Sequence, residues 1–177
     1  MGKAGRYRLM AGPLRWWGPV SAVGIAMAVM TYVIDQLHKW YMLGPFGILE
    51  RQPVNVVPGF DLVMVWNYGI SYGWFASHSQ FVRWTLIILS LAVAVVLVIW
   101  LAGQVRPLLA AAIGLVIGGA LANATDRVVH GAVADFFHLY AGSFSWYVFN
   151  IADVAIVAGV AVLMYDSFFG RGEQRDT

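Results

Sequence analysis

Residues 84–105, WTLIILSLAVAVVLVIWLAGQV, carry no charged side chain. A run of about 20 apolar residues crosses the hydrocarbon of a bilayer as a helix, since a spanning segment must satisfy its backbone hydrogen bonds internally. Arg106 and Pro107 interrupt the run, and a second uncharged stretch continues to Thr125. So short a break permits only a tight reversal between two membrane helices. Working outward, a third apolar segment runs from about Trp17 to Asp35, and a fourth lies between about Val148 and Phe169.

The composition agrees with this reading. The chain has 177 residues, of which 60% are hydrophobic and 11% charged, against about 25% charged in soluble domains. The fold expected is an all-α integral membrane protein. It is one domain over residues 1–177, with four transmembrane helices at about 17–35, 84–105, 107–125 and 148–169. The basic stretch Met1–Arg15 reads as the flank of the first span, because no small-residue cleavage site soon follows the apolar run. The net charge of +2 is scattered along the chain, which excludes the basic stripe of a nucleic-acid binder. The absence of cysteine excludes disulfides, a thiolate nucleophile and Cys-based metal sites.

Lysine and arginine near span ends set orientation. With the N-terminus inside, seven of the eleven basic residues (Lys3, Arg6, Arg8, Arg15, Arg106, Arg171, Arg175) are cytoplasmic, and Lys39, Arg51, Arg83 and Arg127 lie outside. Both termini are therefore expected in the cytoplasm. The first outer segment, about residues 41–80, is long and rich in Gly and Pro. Its stretches Pro53–Val57 and Phe60–Trp66 read as short strands, hence a small extracytoplasmic β-cradle or lid on the outer leaflet.

The carboxylates then gather on one face. Asp35 ends the first span, Asn123 and Asp126 end the third, Asp135 follows in the second outer segment, and Asn150 and Asp153 open the fourth. Ionisable groups at membrane depth are costly and mark functional sites by default. Asp35 and Lys39, an i,i+4 pair, could equally tie off a helix end. For Asp126, beside Arg127, a local or cross-helix ion pair is the plainer role. Asp135 and Asp153 have no cation beside them in sequence, so each must be neutralised, hydrogen-bonded or used. Two carboxylates held close share a proton, one acting as acid and the other as base. Asn67, Asn123 and Asn150 are amides able to orient such a pair or to cap helices. His130 and His138 flank Asp135, but their spacing fits no zinc motif, and no serine sits in a nucleophile elbow. No metal or cofactor is expected. A transporter would spread its carboxylates across the bilayer depth, and a scaffold built on Gly114, Gly118 and Gly119 would leave two unpaired aspartates unexplained.

Five segments carry a resemblance: Asp35-Gln36-Leu37-His38-Lys39, Asn67–Gly73, Gly118–Arg127, Gly131–Phe136 and Phe149–Asp153. In that order they resemble the DQxxK, NxGxAFG, GGxxGNxxDR, GxVxDF and FNxAD motifs of bacterial lipoprotein signal peptidase (signal peptidase II), across nearly the whole chain. Ser71-Tyr72 and Ala122 depart from the pattern, where the family has Ala-Phe and Gly. The resemblance implies a membrane aspartic endopeptidase that cuts diacylglyceryl-modified prolipoproteins before the lipidated cysteine at the outer face of the bacterial inner membrane. Asp135 and Asp153 would activate the water. Asn67, Gly69, Asn123, Arg127 and Asn150 would support the site or hold substrate, with Asp35, Lys39 and Asp126 more structural. Its partners would be precursor and membrane lipid, and the chain a monomer.

Overall fold

In the computed structural model, residues 16–69 and 79–169 are described. The elements run α1 (Ser21–Leu43), α2 (Ile48–Arg51), β1 (Val54–Val57), β2 (Phe60–Asn67), α3 (Gln80–Ala102), α4 (Pro107–Val129), β3 (Val133–Ala141), β4 (Phe144–Ser145) and α5 (Ile151–Phe169). Of the four long helices, α4 is central and touches α1, α5 and α3. Three of the four, α3, α4 and α5, are long and apolar enough to cross a membrane. At 23 residues, α3 and α4 each reach about 34 Å, against a hydrocarbon core of about 30 Å.

Local chemistry fixes the helix ends. Ser79 caps α3, its hydroxyl accepting the Phe81 N–H at 3.3 Å. Pro107 opens α4, where a missing N–H costs nothing and φ is already helical. Gly131, at φ 82°, lets the chain leave α4 for the sheet. Asn150 and Asp153 form a reciprocal cap on α5: the Asp153 N–H donates to Asn150 Oδ1 at 2.9 Å, and the Asn150 N–H to Asp153 Oδ2 at 3.2 Å.

Glycine lets α4 sit close to its neighbours. A Cβ on Gly118 would lie 2.4 Å from the Ala28 carbonyl oxygen of α1, and one on Gly119 would lie 2.6 Å from that of Ala152 on α5. Both obstacles are backbone and cannot swing aside. The glycines thus bring α1 and α5 against α4 within the chain, which is how the carboxylates those helices carry come into reach of Asn123. Large apolar side chains such as Ile88, Val96, Val157 and Phe168 face outward from α3 and α5, a surface suited to lipid rather than water.

The sheet is antiparallel in the order β1-β2-β3-β4. Its two halves come from different outer segments, so it is not confined to residues 41–80. A bulge between Leu62 and Val65 shifts the register, after which Val65 faces Asp135 and Asn67 faces Val133. Below the sheet, Met42, Ile48, Met64, Ala134 and Phe136 form an apolar core that holds it on the end of the bundle. The expectation of a loop continuing through residues 70–78 lies outside the described residues.

A second difference concerns α1. The sequence reading ended this helix at Asp35, where charge begins, yet it runs to Leu43. Asp35 and Lys39 are tolerated within it because both are buried and paired.

Candidate active site

Asp135 lies on β3, and Asn67 at the end of β2 donates its amide N–H to Asp135 Oδ2 at 3.1 Å. The other oxygen, Oδ1, accepts from Asn150 Nδ2 at 2.6 Å. This meeting is arranged by Phe149. Its carbonyl accepts from the Phe136 and Phe137 N–H groups at 3.0 and 2.9 Å, and its N–H returns to Phe137 O at 3.1 Å. The start of α5 is thereby stitched to β3, and Asn150 is delivered beside Asp135. Asn150 Nδ2 also donates to Asn123 Oδ1 at 3.1 Å, while Asn123 Nδ2 donates to Asp153 Oδ1 at 2.9 Å. Two amides therefore join the two carboxylates.

Beneath them lies an ion cluster. Lys39 Nζ sits 2.8 Å from Asp35 and 2.7 Å from Asp126, all three residues almost wholly enclosed. Its remaining proton reaches Asn123 Oδ1 at 3.3 Å. Asp35 Oδ1 also accepts the Ala152 N–H at 2.9 Å, satisfying a free donor in the first turn of α5. Asp126 Oδ2 accepts the Ala134 N–H at 3.1 Å, which anchors the start of β3. Asp126 thus pairs across helices with Lys39, while its neighbour Arg127 turns elsewhere. Arg127 donates to the Gly69 carbonyl at 2.8 Å and to the Asn123 carbonyl at 3.2 Å. Gly69 N–H in turn donates to Asn67 Oδ1 at 3.0 Å, so the Asn67 amide is fixed from behind.

All ten residues singled out from the sequence as site or supporting residues fall in this one network. Gln36 is a motif residue with no role of its own expected from the sequence. It donates to Asp126 Oδ1 at 2.9 Å and to Ala122 O at 3.4 Å, and its position one residue after Asp35 was the available signal. The Phe149 carbonyl, being backbone, left no signal. His130 packs against Trp66 with the rings tilted by 43°, and His138 hydrogen-bonds Ser145 Oγ at 2.7 Å. Asp166 pairs with Arg106 at the other end of the bundle.

Burial and the charge of Asp153 push the Asp135 carboxyl up to about 7, against the pull of its bonds from Asn67 and Asn150. In the unfolded chain it would titrate near about 3.9. Between these values the native state holds a proton the unfolded state has released. The stability from this group is fully present below the unfolded value and is lost as pH rises through about 7. The melting temperature of Asp135→Asn relative to wild type is therefore expected to rise between pH 4 and pH 8, on top of a constant cost for the one amide donor left without an acceptor. Equal differences at both pH values in detergent melting curves would refute this origin of the shift.

The fold first defines a class. It superposes on a bacterial membrane enzyme solved by the in meso method at 2.3 Å, with a TM-score of 0.75 and 23% identity over 88% of this chain and 93% of that one. A second such enzyme, solved at 1.9 Å, gives 0.68 and 21% over 94% and 100%. The family is given by sequence: the model of Signal peptidase (SPase) II matches residues 27–169. The lipoprotein signal peptidase of Methylocella silvestris is 48% identical over 83% of this chain and 86% of its own length. That of Nitrobacter hamburgensis is 49% identical over 82% and 91%. The chain belongs to the signal peptidase II family, aspartic endopeptidases that remove signal peptides from prolipoproteins.

Proposed function

We propose that Asp135 and Asp153 jointly activate a water that attacks the peptide carbonyl preceding the lipid-modified cysteine of a diacylglyceryl prolipoprotein. The observation that carries this reading is the pair itself, two buried carboxylates bridged by Asn150 and Asn123. With Asp135 raised to about 7, a neutral-pH state with one proton between the two is favoured. The ionised partner takes a proton from water as the protonated one gives its own to the departing amine. The two protons belong to the coupled pair, so neither residue is assigned acid or base alone. Asn67 and Asn150 hold Asp135, and Arg127 steadies Gly69 and with it Asn67.

In this reading α1 is the fourth span, its polar outer third sealed by α4 and α5. Both termini are cytoplasmic, and the site faces outward beneath the sheet. Support comes from the basic bias toward the inner loops and from the placement of sheet and carboxylates at the end of the bundle away from Arg106 and Asp166. A cavity of about 350 Å³ walled by Leu139, Trp146, Phe149, Val154 and Val157 carries Asp153 on its side. Its apolar wall suits a signal helix or acyl chain arriving sideways from the bilayer. The enzyme acts as a monomer on substrate dissolved in lipid.

The test is a gel-shift assay of purified enzyme in detergent with EDTA present, on one precursor with and without its diacylglyceryl group. Chelator-resistant cleavage of the lipidated form, slowing above about pH 7 as the pair loses its shared proton, is expected. Folded wild-type protein that cuts neither form would refute the proposal.

A further inference from the structure

An asparagine amide has one accepting and one donating end, and its role reverses if it turns over. Asn150 is locked, because its Oδ1 accepts the Asp153 backbone N–H at 2.9 Å and its Nδ2 must then point to Asp135. Asn123 lies within α4 and has no such backbone anchor for its amide. Its Oδ1 faces two donors, Asn150 Nδ2 at 3.1 Å and Lys39 Nζ at 3.3 Å, of which only the lysine carries charge. An ammonium has three protons and no lone pair, so it accepts nothing. If Asn123 turned over, its NH2 would meet Lys39 and the NH2 of Asn150, and its oxygen would meet the Asp153 carboxylate. All three contacts would become repulsive.

The lysine is itself prevented from moving. Asp35 and Asp126 hold it from two helices at 2.8 and 2.7 Å. Asp35 is pinned by the Ala152 N–H, and Asp126 by the Ala134 N–H and by Gln36. Each carboxylate of the lower cluster is thus fastened to the backbone of the element that carries one of the upper pair. The two carboxylates already exceed the lysine charge, and the third donor goes to Asn123.

We propose that Lys39 is a positioning residue for proteolysis, holding the Asn123 amide in the single orientation that presents its N–H to Asp153. This rests on the reading of Asp135 and Asp153 as the reacting pair. Lys39 acts through Asn123 and does not touch the scissile bond. Among the described residues, the charged groups around the pair are Asp35 and Lys39 from α1, Asp126 and Arg127 from α4, and the two aspartates themselves from β3 and α5. From β2 comes only the neutral Asn67.

The variant that isolates this role is Asp35→Asn with Lys39→Met. It removes one negative and one positive charge, so the formal charge around the pair is unchanged. The asparagine introduced at position 35 can still accept the Ala152 N–H through its side-chain oxygen, and Asp126 keeps its donors Ala134 and Gln36. What is lost is the ammonium facing Asn123. The turnover number for lipidated precursor is expected to fall roughly tenfold with KM within about twofold, as a misplaced orienting group would give. The acidic limb of the turnover–pH profile is expected to move up by about 0.5–1 pH unit, because the ionised form of the pair has lost a steady donor.

A lower amplitude with the limb unmoved would mean that Lys39 only holds the fold together, and overturns the proposal. If the double variant is lost on purification, Asn123→Ser decides, since it keeps both ion pairs and deletes the amide. Its limb should move alike, and an unmoved limb rejects the relay. Wild type and Asp135→Asn run in parallel separate the two levels. Inactive wild type, or active Asp135→Asn, refutes the peptidase assignment; active wild type and inactive Asp135→Asn with a limb unmoved in the test variant refutes only the role of Lys39.

Discussion

Asp135→Asn and Asp153→Asn are each expected to lower turnover of lipidated precursor by roughly 10³–10⁴-fold, with little change in precursor binding. Asparagine matches the volume of aspartate but offers one accepting oxygen where each aspartate uses two, so one of the two donors at each position loses its acceptor while the other bond is kept. What disappears is the exchangeable proton at one side of the pair. Because the two carboxylates act as a unit, the double variant should be no slower than the worse single one. Single-turnover cleavage and a binding measurement on the same preparations separate the chemical step from substrate capture. Normal cleavage by either folded variant would sink the assignment. Equal loss of binding would shift both aspartates to a substrate-holding role. The rise in the melting temperature of Asp135→Asn relative to wild type expected between pH 4 and pH 8 gives an internal control that the variant has folded around the same site.

Asp35→Ala is expected to cost about 3–5 kcal/mol of stability, the range for breaking one side of a buried ion pair. Asp35 is fully enclosed, and its loss strips Lys39 of one partner and leaves the Ala152 N–H of α5 without an acceptor. Asp35→Asn should cost distinctly less, since its oxygen can still accept that N–H. Melting midpoints in one detergent should therefore rank wild type, Asp35→Asn and Asp35→Ala in that order. An alanine variant as stable as wild type would show that the cluster contributes no net stability. The comparison also separates charge from hydrogen bonding, because only the alanine variant removes both.

Much of this was legible in the residues. Uncharged runs located three helices of membrane length, since no soluble fold conceals that much apolar sequence. The gathering of Asp35, Asp126, Asp135 and Asp153 at one end followed from where each apolar run stopped. β1 and β2 were readable because β-branched residues there stand between Pro and Gly. β3 was not, because Val133–Ala141 is buried on both faces at its start and shows no clean alternation. The extension of α1 to Leu43 was hidden for a related reason. Hydropathy counts Lys39 as a charge facing water, and only the fold shows that Asp126 meets it. The partners of the asparagines could not be read either, because every amide has two ends and the sequence does not say which end meets what.

The Asp35–Lys39 pair also bears on how the chain is made. α1 is synthesised first, and at that moment neither Asp126 nor the start of α5 exists. Lys39 can meet only Asp35, one helical turn away, so on the proposal that α1 is the fourth span it would reach the bilayer with these two charges cancelling each other. That cancellation lowers the penalty for placing it in lipid before its later neighbours arrive. In the finished bundle the pair is still closed and has gained Asp126 and the Ala152 amide as further partners. The same two side chains that ease insertion of the nascent helix then become the latch that records completion of the bundle.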